Sequence, residues 1–148
     1  IASETVFQVT RENRSVMGQT YVEVFGLGSA FDADALPRFY PPAVAGLQPH
    51  APFSAGPGLY EAAARTGVPV STHLAETRDE ARFVAQGDGP CLDYLKQIGK
   101  WDRSFADHYG HGLSPVQWMR PYLEAAADDG GWLVAHCNYV SGRSVTLG

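Results

Sequence analysis

The sequence predicts an α/β fold with parallel strands. Short runs rich in aliphatic, β-branched and aromatic residues, at 20–25, 44–48, 68–75 and 132–138, alternate with stretches at helical spacing. Glycine and proline punctuate the junctions. There is no internal repeat, so successive strands are expected to lie parallel and to be joined by right-handed crossovers. The alternation suits a (β/α) barrel and an open doubly wound sheet equally.

The 148 residues amount to one domain, with 45% hydrophobic and 18% charged residues, the composition of an ordinary globular protein. A net charge of −5 without a basic cluster argues against nucleic acid as a partner. No apolar run approaches a membrane span, and no secretion signal is visible at the start, so no membrane partner is expected. Cys91 and Cys137 are far apart and read as reduced thiols of a cytoplasmic protein, with a single disulfide as the alternative.

Residues 1–17 have mixed periodicity and read as a helix ended by Gly18. Residues 20–25 form a strand with Val22 and Val24 on one face and Tyr21, Glu23 and Phe25 on the other. A glutamate in mid-strand is unusual on a buried face. Glu23 reads as structural, either salt-linked inside or exposed on an edge, with a catalytic carboxylate as the alternative. Pro37, Pro41 and Pro42 limit the next crossover helix to about 33–39. The strand at 44–48 runs into Pro49-His50. Pro57 then opens a helix with Leu59, Ala62 and Ala63 inward, and Gly67 is its left-handed cap.

The strand at 68–75 places Val68, Val70, Thr72 and Leu74 on one face and Pro69, Ser71, His73 and Ala75 on the other. A helix follows at 76–86, with Ala81 and Val84 inward and Arg78, Asp79 and Arg82 outward. Gly87-Asp-Gly-Pro90 breaks it. Residues 91–98 make a second helix with Leu92, Leu95 and Ile98 at helical spacing. Residues 100–112 read as a polar, aromatic loop. Ser114-Pro-Val-Gln117 is a capping box opening a helix to about residue 128, with Val116, Met119, Leu123 and Ala126 on one face. The last strand spans 132–138, and the remainder is polar and indistinct.

His73 and His136 each end an aliphatic strand, so parallel strands bring both to one rim, where neutral imidazoles suit zinc or ferrous iron. On the residues alone, hydrogen-bonded structural histidines are the commoner reading of both. Glu76 is a candidate general acid/base, or a glutamate favoured by a helix N-terminus. His50 stands between Pro49 and Pro52 and by itself reads as a fixed loop residue. His108 and His111 lie in a Gly-rich loop with no other ligand type at metal spacing, and read as solvated.

Pro49-His-Ala-Pro-Phe53, His73-Leu-Ala-Glu76 and Ala135-His-Cys137 come in this order, each at the end of a strand-like run. Together they resemble the amidohydrolase superfamily, in particular its cytosine/guanine/triazine deaminase and chlorohydrolase branch, over residues 20–140. The resemblance implies about strands three to six of a (β/α)8 TIM-type barrel, with 1–148 a fragment of one barrel domain. It implies one divalent metal ion, zinc before iron, held by His73 and His136, with Glu76 moving protons and His50 contacting substrate. The implied activity is hydrolysis of carbon–nitrogen bonds other than peptide bonds by metal-activated water. It would deaminate or dechlorinate a nitrogen heterocycle, a small-molecule substrate. The alternatives are a cyclic amide or imidazolone hydrolase, and a non-catalytic α/β binding domain.

The family's strand-one His-x-His and strand-eight Asp would lie outside the chain, and 141–146 does not resemble the acidic helix of relatives. The parent protein is therefore expected to be the enzyme and the chain alone to be inactive. Its open strand edges favour association, including homo-oligomers.

Overall fold

The computed structural model describes residues 20–27, 45–125 and 131–140. The predicted helices at 1–17 and 33–39, the end of the helix reaching residue 128 and the tail from 141 lie outside these residues. The runs richest in β-formers become the strands β1 (Thr20–Val24), β2 (Ala45–Pro49), β3 (Val70–Leu74) and β4 (Trp132–His136). They pair in parallel in the order β1-β2-β3-β4. Among the described residues the sheet is open, with β1 and β4 at its edges.

Four α-helices connect and cover it: α1 (Pro57–Arg65), α2 (Arg78–Gln86), α3 (Pro90–Gln97) and α4 (Pro115–Ala125). The core lies between one sheet face and these helices, and joins Leu74 to Leu59, Tyr60, Phe83, Trp118 and Met119. A second cluster packs Leu47 and Val70 against Ala62 and Ala63. Thr72 is buried with them because its hydroxyl has a partner in Tyr60 Oη at 2.9 Å. The alternating period of β3 then sends His73 to the opposite face.

Local chemistry accounts for the boundaries. Ser114 and Gln117 form the reciprocal bonds of a capping box: Ser114 N–H donates to Gln117 Oε1 at 2.9 Å, and Gln117 N–H to Ser114 Oγ at 3.3 Å. Gly67 follows α1 with φ of +68°. The second helix begins at Arg78 rather than at residue 76, because Thr77 accepts the Glu80 N–H at 3.1 Å and so becomes the N-cap. Glu76 stays in the strand–helix link, outside the helix. The inward face of α2 is Glu80, Phe83 and Val84, with Ala81 half-buried.

Residues 100–112 depart most from expectation. They contain a 3₁₀ helix, Arg103–His108, and their aromatic residues belong to the core. Phe105 and Tyr109 are buried, Tyr109 Oη donates to Pro52 O at 2.6 Å, and its ring stacks on Trp118 at 5.6 Å. Trp101, Phe105 and Tyr109 recur every fourth residue, a helical signal masked by polar neighbours. Ile98 is 45% exposed rather than inward. The last strand stops at His136, since His136 and Cys137 take φ of +72° and +53°.

Gly46 is the tightest backbone position in the sheet. A Cβ there would meet the Pro69 carbonyl oxygen at 2.5 Å and the Tyr21 ring at 2.6 Å. The same carbonyl accepts the Leu47 N–H at 2.9 Å and holds β2 to the start of β3. Gly46→Ala is therefore expected to cost roughly 1–3 kcal/mol, the scale of overpacking, read as a lowered urea midpoint.

Candidate metal and catalytic site

The site forms at the C-terminal ends of the parallel strands, where loops gather side chains from different elements. Backbone bonds hold these ends together. His50 N–H donates to Val24 O at 3.1 Å, and His50 O accepts from His73 N–H at 2.9 Å. Cys137 N–H donates to Leu74 O at 2.9 Å, and Tyr139 N–H to Ala75 O at 3.0 Å. The non-glycine residues with positive φ among those described are Ala75, His136 and Cys137, and all sit here. Such backbone strain persists only where surrounding structure enforces it, and it concentrates at functional sites.

His73 is the hub. Its Nε2 lies 3.0 Å from the Gln48 side-chain nitrogen and its Nδ1 lies 3.0 Å from His136 Nε2. With the Gln48 amide nitrogen as donor, His73 Nε2 accepts and its Nδ1–H donates to His136 Nε2. Glu76 Oε1 stands 3.7 Å from His136 Nε2, and Glu23 Oε1 stands 3.6 Å from His73 Nε2.

Among the described residues two donor groups are close enough to hold a metal ion, Glu23–His50–His73 and His73–Glu76–His136. The second sets two imidazole nitrogens and a carboxylate oxygen where a tetrahedral ion could take them. Two imidazole nitrogens on such an ion stand ~3.3 Å apart. The observed 3.0 Å needs a shift of a few tenths of an ångström, with the ion replacing the shared proton. Carboxylate and imidazole donors together suit zinc or iron.

His50 faces the same cluster, its ring centroid 5.2 Å from that of His73. Its Nδ1 bonds to Ser54 Oγ, and that hydroxyl donates onward to Ala51 O at 3.3 Å. Ser54 therefore accepts from Nδ1–H, which leaves the Nε2 lone pair free. Burial holds the His50 pKa below the ordinary histidine range, against the opposing pull of Glu23.

The predicted residues His50, His73, Glu76 and His136 come together. Glu23, which reads as structural in sequence, joins them. The parity of β1 puts Glu23 on the face opposite Val24, and its register sets it beside Gln48. Glu80 also escapes sequence reasoning. Although only 1% exposed, it accepts from Ala75 N–H at Oε1 and from Glu76 N–H at Oε2, both at 2.9 Å. It thereby fixes the link that carries Glu76. The Thr77-x-x-Glu80 spacing of a capping box was the available signal.

Neither thiol belongs to a donor group, and both are free. Burial pushes the Cys91 thiol up to about 11, so it stays neutral near physiological pH. His111 Nε2 donates to Asp107 O at 2.8 Å, and His108 ends the 3₁₀ helix.

Among the described residues no helix is long and apolar enough to cross a membrane. Comparison with models of protein families finds no match to this chain, and comparison with curated proteins finds none either.

Proposed function

We propose that this chain is part of a (β/α)8-type barrel and carries part of a metal-dependent amidohydrolase site. It would act on carbon–nitrogen bonds of a nitrogen heterocycle, as a deaminase or chlorohydrolase. The observation that carries the reading is the convergence of His73 Nδ1, His136 Nε2 and Glu76 Oε1 at the ends of adjacent parallel strands. The parallel four-stranded sheet in sequential order supports the barrel portion.

His73 and His136 would hold the ion, zinc before iron. When bound it would supply Lewis acidity toward water and substrate. Glu76 is placed to take a proton from the attacking water and return it to the leaving group. Its backbone cannot drift, since Glu80 holds its N–H and Asn138 Nδ2 donates to its carbonyl at 3.3 Å. His50 Nε2 offers a hydrogen-bond acceptor to the substrate ring.

The test is ammonia or chloride release by the full-length protein from aminopyrimidines, aminotriazines and chlorotriazines. Release that requires added zinc or ferrous ion and stops with a chelator supports the reading. A folded, metal-loaded protein that releases neither would leave a binding domain with structural histidines.

A further inference from the structure

We propose that the ligand of this site is elongated, with a polar reacting end against Glu76 and His50 and a neutral aromatic group in a separate cleft. The inference rests on the hydrolase reading for the reacting end alone. Among the described residues, two cavities share His50 with the site, and the smaller also shares Glu76. The smaller, about 300 Å³, is lined by Glu76, Asp79 and Cys91 and is large enough for one ring. The larger, about 910 Å³, lies between the turn after β1 and the wall made by α3 and the 3₁₀ helix. Its volume falls in the range of small-molecule sites. His50, Phe53 and Tyr94 line both cavities, so the proposed ligand would run past them from the smaller into the larger.

The chemistry of the larger cleft selects its occupant. Phe25, Phe53, Tyr94, Trp101 and Phe105 surround it with rings. Phe25, Tyr94 and Ile98 are 53%, 54% and 45% exposed, an apolar area that a seated ligand would cover. Ring faces and edges favour an aromatic occupant over an aliphatic one. The charged groups on its lining are Lys100 and Asp102, of opposite sign, and the Asp102 carboxylate is already bonded to Ser104 N–H at 2.8 Å. No single-sign field therefore recruits an ionic group.

The test compares two ligands by calorimetry on the full-length protein: an aminopyrimidine bearing a phenyl group, and the same ring bearing methyl instead. The phenyl compound is expected to bind at least about tenfold more tightly, from the extra apolar area covered. Ile98→Asp and Tyr94→Asp each change an exposed side chain, and each should remove most of that advantage while circular dichroism stays unchanged. Equal affinity of the two compounds, no binding of either, or an advantage that survives both substitutions overturns the proposal. Zinc binding read separately keeps the two readings apart. A phenyl preference without zinc binding sinks only the hydrolase, and zinc binding without a phenyl preference sinks only the cleft.

Discussion

Glu76→Gln in the full-length protein is expected to keep near-normal metal content and to lower turnover by about a hundredfold or more, the scale of general acid–base catalysis. Glutamine preserves the size of the side chain and cannot accept the proton. The link around it should not move, because Glu80 and Asn138 bind its backbone rather than its carboxylate. Metal analysis beside steady-state kinetics separates the roles open to Glu76, whose Oε1 lies 3.7 Å from His136 Nε2. Loss of metal together with turnover would make Glu76 a ligand. Retention of most activity would move proton transfer to another group, with His50 the next to replace.

Glu80→Ala is expected to cost the fold about 2–5 kcal/mol, since it strips the partner from two backbone N–H groups at a buried turn. Urea unfolding measures this, and a loss below about 1 kcal/mol would show that water or a shifted link replaces the carboxylate. Burial raises the Glu80 pKa, and the bonds from Glu76 and Ala75 oppose the shift only in part. The folded state thus binds this proton more tightly than the unfolded chain. That contribution to stability is fully present below the unfolded pKa and is lost as pH rises through the folded value. The alanine variant should lack it.

The strands and most helices were legible because their signals are local: β-branched runs, a proline at the first helical position, a Ser-x-x-Gln capping box. The strand-end histidines were legible for the same reason, since parallel neighbours must bring such ends to one rim. Glu23 was not. Its role depends on the β1–β2 register, which places it beside Gln48 and toward His73, and register arises from pairing between distant segments. Glu80 was missed because its carboxylate reaches back past its own cap to the link before it. The wall of the larger cleft was hidden in residues 100–112, where Asp, Arg, Ser and Lys obscured the four-residue recurrence of the rings.

Zinc titration of the full-length protein against a chromophoric chelator, for the native sequence and for His73→Ala, tests the central claim most directly. His73 Nδ1 faces His136 and its Nε2 faces Gln48 with Glu23 Oε1 at 3.6 Å, and both donor groups found among the described residues include it. One ion per chain, lost in His73→Ala while circular dichroism is unchanged, is the predicted result. A folded native protein that binds no zinc, or a His73→Ala variant that binds it as tightly as before, would contradict the metal site.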